Sequence, residues 1–152
     1  RLYNSLTQPV SVALDNQTVS SLNAGQLSSY VDIGKGDYSL SVRDNAGQLL
    51  LNSALLSIAA GDSKAVLLYA NAQQQVEALS IAEPNAPQLQ AHDVIVANLA
   101  SDFDKLHFYF VRDNETIANA CNKIQGQYTS ATSSITQRAA IAALKAWRDN
   151  AA

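Results

Sequence analysis

Apolar and polar residues alternate with period two, and turn-forming residues break the alternation at short intervals. No other feature constrains this chain as strongly. Val10, Val12 and Leu14 alternate with Ser11, Ala13 and Asp15, and Tyr38, Leu40 and Val42 alternate with Asp37, Ser39, Ser41 and Arg43. One apolar and one polar face is the pattern of half-buried antiparallel strands. Further strands are expected over Leu27 to Ile33, Gln48 to Ile58, Lys64 to Ala70 and Gln74 to Ile81. Asp15-Asn16, Gly34-Lys35-Gly36, Asp44-Asn45-Ala46-Gly47 and Ala60-Gly61-Asp62 separate them. Those residues supply positive φ or side-chain-capped turns. About seven short strands at this spacing predict a mainly β chain built on an antiparallel, immunoglobulin-like β-sandwich over residues 1–81, with Val10, Val12, Leu14, Tyr38, Leu40, Val42, Leu56, Val66 and Leu68 in its core.

Residues 82–92 break the pattern. Pro84 and Pro87 lack the N–H that a central strand needs, so this stretch reads as a linker. Strand patterning resumes over Asp93 to Asn98 and again over Leu106 to Val111, where Leu106, Phe108 and Phe110 mark one face. An internal repeat supports the division: Asp15-Asn16-Gln17-Thr18-Val19 recurs as Asp113-Asn114-Glu115-Thr116-Ile117 at a shift of 98, and Tyr3-Asn4-Ser5-Leu6 faces Ala97-Asn98-Leu99-Ala100 at a shift of 94. After Tyr128 the second copy diverges. Ser134 and Gln137 fit a capping box, and Ile141, Leu144 and Trp147 recur at helical spacing. Residues 93–152 are therefore expected to form a smaller, partial β unit covered by a C-terminal α-helix over 134–148, with Ile141, Leu144 and Trp147 as its apolar face.

Composition limits the chemistry. Ten Lys and Arg against thirteen Asp and Glu leave a net charge of −3 with no basic run, which argues against a nucleic-acid partner. No window approaches the roughly 18 apolar residues of a membrane-spanning helix. One cysteine, Cys121, excludes an intramolecular disulfide and a multi-cysteine zinc site. His92 and His107 are the only imidazoles, and neither stands in a nucleophile or metal motif. Asp102 and Asp104 near Asp113 lack the spacing of a calcium loop. We expect no catalytic residues, no metal and no cofactor. The chain has no methionine and begins inside a strand, and a removed signal peptide upstream is the expectation.

The order of several short motifs resembles a known family. Arg1-Leu2-Tyr3-Asn4, Gln8-Pro9-Val10-Ser11, Ser28-Ser29-Tyr30, Gly36-Asp37-Tyr38-Ser39, Ile58-Ala59-Ala60-Gly61-Asp62 and Val94-Ile95-Val96-Ala97-Asn98-Leu99 follow one another as in the periplasmic alginate O-acetylation accessory proteins, the F component of that system. The resemblance covers about residues 1–100. It implies two small β-sandwiches joined by a linker, a periplasmic location, and a non-catalytic adaptor that binds acetyltransferase subunits during exopolysaccharide O-acetylation. The C-terminal third departs from that pattern, since the helix stands where strands are implied. A looser resemblance, to extracytoplasmic repeat domains of unknown function with a similar Gly-x-Tyr rhythm, implies instead a cell-surface domain, and a carbohydrate-binding module is a separate expectation drawn from the aromatic residues. In that reading Tyr3, Tyr30 and Tyr109 would stack on the polysaccharide, whereas an adaptor could use Ile141, Leu144 and Trp147 as its partner surface.

Overall fold

Two-residue turns set the register of the sandwich. In the computed structural model, Asp15 and Asn16 adopt φ of 46° and 68° between β2 (Val10–Leu14) and β3 (Gln17–Leu22). Both values suit the short polar side chains favoured where a hairpin turn needs positive φ. The structure describes residues 1–83 and 97–101, and the backbone of strands 105–109 and 123–127. Contacts divide the chain into two compact units, Arg1–Pro87 and Gln88–Ala152.

The first unit holds seven strands in two sheets. β1 (Leu2–Asn4), β6 (Ser63–Ala70) and β7 (Val76–Glu83) form one sheet in the order β1-β6-β7. β2, β3, β4 (Gly36–Asp44) and β5 (Leu49–Ile58) form the other in the order β3-β2-β4-β5. All neighbouring pairs are antiparallel except β1 with β6, which is parallel and sets Leu2 beside Val66 and Asn4 beside Leu68. Period two then decides the core. Val10, Val12, Leu14, Leu40, Val42 and Leu56 from the four-stranded sheet join Leu2, Val66 and Leu68 from the other in one buried cluster. The mainly β, sandwich-like architecture is as the alternation predicts.

Several local expectations are corrected. Leu27 to Ile33 is not a strand: a single bridge, Tyr3 to Leu27, represents it, and the rest forms part of the long β3–β4 connection over residues 23–35. Its alternation is real, but β1 is only three residues long and gives it nothing more to pair with. Tyr38 packs against the core but is only half-buried, and its hydroxyl donates to the Gly34 carbonyl at 2.7 Å near the start of β4. β7 runs on through Ala82 and Glu83, the first two residues of the expected linker. Leu2, Leu6, Leu22, Tyr69, Leu79 and Ile81 are additional buried residues. Tyr69, Leu79 and Ile81 lie on the face of the three-stranded sheet opposite Val66 and Leu68, so this sheet is apolar on both faces.

In the second unit, β8 (Lys105–Tyr109) pairs antiparallel with β9 (Lys123–Gln127), Phe108 standing opposite Ile124. Ala97 and Asn98 are not in a strand, and Val94 to Val96, the repeat around Asp113 and the helix expected over 134–148 lie outside the described residues.

Asn4 ends β1 fully buried, yet every polar atom of its side chain is used. Its Nδ2 donates to the carbonyls of Gln8 at 2.9 Å, Asn23 at 3.1 Å and Leu22 at 3.4 Å, and its Oδ1 accepts from the Leu6 N–H at 3.0 Å. Asn4→Leu keeps the volume but removes these bonds, at about 1–3 kcal/mol for each buried partner left without one. Leu40→Ala leaves a cavity in the core and should cost about 2–5 kcal/mol. Leu55→Ala, at a position 76% exposed, should stay within about 0.5 kcal/mol of the parent. Urea unfolding of the three variants checks this ranking; a large loss for Leu55→Ala with little for Leu40→Ala would show the strand faces to be reversed.

Candidate functional site

The sandwich opens into a cleft of about 230 Å³ where β5 ends and β6 begins. Both sheets contribute to its apolar floor: Leu2 and Val66 from one, Leu14, Val19, Leu56 and Ile58 from the other. The β3–β4 connection forms a wall with Tyr30, Val31, Asp32 and Ile33, and Arg1, Asp62 and Lys64 complete a rim carrying both signs of charge. An apolar floor with a few polar groups around it is the usual composition of a binding cleft.

A three-residue cluster holds the wall in place. Arg1 Nε donates to Glu83 Oε1 at 2.8 Å, the Tyr30 hydroxyl donates to Glu83 Oε2, and the Arg1 guanidinium carbon stands 5.0 Å from the centroid of the Tyr30 ring. One carboxylate at the end of β7 thus ties down the start of the chain and the middle of the connection. Burial works to raise the Glu83 carboxyl, but the hydrogen bonds from Arg1 and Tyr30 and the guanidinium charge outweigh it and hold the group below its ordinary 4.5. The hydrogen bond to Glu83, with smaller help from desolvation and the carboxylate charge, raises Tyr30 above its ordinary 10.0. Across the rim, Lys64 Nζ donates to the Ser57 carbonyl at 2.5 Å and lies 3.7 Å from Asp62, whose Oδ2 accepts from the Ala59 N–H at 3.0 Å. These bonds fix the β5–β6 turn beside the cleft.

The tyrosines chosen for sugar stacking fall in different settings. Tyr30 is 54% exposed, but its hydroxyl is engaged and a guanidinium lies over its ring. Tyr3 is half-buried on β1. Tyr109 closes β8 and His107 lies within it, and their side chains fall outside the described residues, as do His92, Cys121, Asp102, Asp104, Asp113, Ile141, Leu144 and Trp147. Among the described residues no three His, Cys, Asp or Glu side chains come together as a metal site. Arg1 and Glu83 escaped the sequence reading. The apolar positions Leu79 and Ile81, continued by two residues, place Glu83 on the same strand face, which was the one available signal.

The cluster has a two-sided pH signature. Because the folded Glu83 value is depressed, its stabilisation is complete above the ordinary 4.5 and is lost as pH falls through the folded value. Because the folded Tyr30 value is raised, its contribution is complete below 10.0 and is lost as pH rises through the folded value. Glu83→Gln should flatten the acid limb of stability against pH, and Tyr30→Phe the alkaline limb. Thermal midpoints measured across pH for the parent and both variants provide the check; parallel curves would mean that the cluster contributes nothing to stability.

No curated protein and no solved structure matches the chain. A family model described as a domain of unknown function, DUF4397, matches residues 1–109, from β1 through the end of β8, and therefore contains the whole cleft and the cluster that supports its wall. On that match, which spans well over half of its length, the chain belongs to the DUF4397 family.

Proposed function

We propose that the chain is a non-catalytic, extracytoplasmic accessory protein that docks acetyltransferase subunits during exopolysaccharide O-acetylation, and that the cleft end of its sandwich is the docking surface. The β3–β4 connection carries this reading. It leaves Leu27, Tyr30 and Val31 exposed while Glu83 and Arg1 hold it against the end of the sheets. Long connections on a rigid sheet scaffold are where binding residues concentrate. Apolar side chains presented from an anchored loop, beside a cleft with an apolar floor, suit a protruding side chain of a partner protein. A periplasmic setting and an alginate-like polymer come from the order of motifs from Arg1-Leu2-Tyr3-Asn4 to Val94-Ile95-Val96-Ala97-Asn98-Leu99. The alternative, a carbohydrate-binding domain, needs a free aromatic platform. Tyr30, held by its hydroxyl and overlain by Arg1, is better placed as an anchor for the loop.

The test is a deletion strain assayed for acetyl content of its exopolysaccharide. Loss of acetylation on deletion is expected, with restoration by the parent chain and failure by Val31→Glu expressed at the parent level. Unchanged acetylation after deletion overturns the adaptor reading. Direct retention of the purified chain on the polysaccharide, abolished by Tyr30→Ala, would establish the carbohydrate-binding alternative instead.

A further inference from the structure

At about 230 Å³ the cleft falls below the roughly 300–1,000 Å³ of sites for drug-sized ligands, yet it exceeds the roughly 150 Å³ that holds a benzene ring. That is room for one long side chain. The charged groups that line it are not equivalent. Arg1 Nε is held by Glu83 Oε1 at 2.8 Å, the Arg1 amino group donates to the Lys64 carbonyl at 2.8 Å, and Lys64 Nζ donates to the Ser57 carbonyl with Asp62 3.7 Å away. Each cation lining the cleft is therefore already engaged. Two of the carboxylates are engaged as well: Glu83 accepts from Arg1 and Tyr30, and Asp62 accepts from the Ala59 N–H besides facing Lys64. Asp32 differs. It stands in the wall between Val31 and Ile33, lines the cleft, is exposed, and has no hydrogen-bond or ion-pair partner among the described residues.

We infer that the cleft takes a lysine or arginine side chain of a partner protein, with its methylene stem on the apolar floor and its cationic head on Asp32. That the carrier is a protein rests on the docking role proposed above, whereas the chemistry of the inserted group rests on the cleft alone. Long cationic side chains bury an aliphatic stem along apolar surface and keep the charged head in water. The cleft offers both surfaces together: a floor drawn from the two sheets and an exposed carboxylate in the wall. An anionic side chain would meet Asp32 while the cations are held by other partners. An uncharged aliphatic one would fill the floor and gain nothing from the carboxylate. Tyr30 and Val31, both exposed beside Asp32, extend the contact to the residues that flank the inserted side chain.

Amide shifts of the isotope-labelled full chain, titrated with capped tripeptides that carry lysine, norleucine or glutamate between two glycines, read this out. The lysine peptide should bind best, norleucine less well through its stem, and glutamate least, with the shifts centred on Asp32, Ile33 and Ile58. Asp32→Asn should weaken the lysine peptide by about two- to fivefold, the scale of a solvent-accessible ion pair, and leave norleucine unchanged. Added salt should weaken the lysine peptide alone. Asp32 is exposed, so its variant should melt close to the parent and its effect reads binding rather than folding. Equal binding of the three peptides, a lysine peptide indifferent to Asp32→Asn, or shifts scattered away from the cleft would each overturn the inference. The deletion strain answers a separate question. Normal acetylation without the chain removes the acetyltransferase as carrier of the side chain and leaves the preference of the cleft standing, whereas a cleft indifferent to lysine overturns this inference with the adaptor role intact.

Discussion

The Asn4 carboxamide is the interaction on which the first unit depends. It sits at the end of a three-residue strand with no access to solvent, and its amide reaches carbonyls on both sides of the 5–22 excursion that builds β2 and β3. A buried amide without partners would oppose folding, whereas one with all its bonds made favours a single arrangement of the chain around it. Backbone bonds from Asn4 to Gly25 and Gln26 then start the strap that covers the β1 edge, and that strap leads directly into the wall of the cleft. The wall is thus positioned from both ends, by Asn4 near residue 25 and by Glu83 at Tyr30.

The same local chemistry recurs where the internal repeat aligns. Asn98 is buried and its Oδ1 accepts from the Ala100 N–H at 3.1 Å, as Asn4 Oδ1 accepts from Leu6 two residues on. The shift of 94 that matches Tyr3-Asn4-Ser5-Leu6 to Ala97-Asn98-Leu99-Ala100 pairs both donors and both acceptors. Asn71, at the end of β6, makes a comparable turn, its Oδ1 accepting from the N–H groups of Gln73 and Gln75. A side-chain amide that replaces a backbone acceptor is a general way for a strand to end inside a protein. Asn4, Asn71 and Asn98 thus share one device, a buried carboxamide whose Oδ1 closes the turn that follows it.

Alternation made β2 and β4 legible, because each has one face in the core and one outside it, and turn residues with a forced φ marked their ends. It failed where the determinant was not periodic. β1 is too short for a period to show, and Leu2 and Asn4 are placed by a parallel partner more than sixty positions away. Leu27 to Ile33 has the period but no partner strand beyond Leu27, so backbone and side-chain bonds decide its path. Tyr38 obeys the period and packs against the core, yet it is only half-buried, with its hydroxyl on the Gly34 carbonyl at the sheet's end. Within the site, Tyr30 was visible as an aromatic residue in a loop, whereas the pair Arg1 and Glu83 is separated by nearly the whole first unit. No local pattern encodes a contact at that separation.

The extent of the family match bears on where function resides. It ends at residue 109, the last residue of β8, while β9 and everything C-terminal to it fall outside. The match is thus longer than the sandwich of residues 1–83, but it excludes the strand to which β8 is paired. The matched residues hold both the cleft and the Arg1–Tyr30–Glu83 cluster. The cleft is built by bonds that tie distant parts of the chain together: Arg1 and Glu83 meet across nearly the whole first unit, and Tyr30 joins them from the β3–β4 connection, so the wall of the cleft depends on all three.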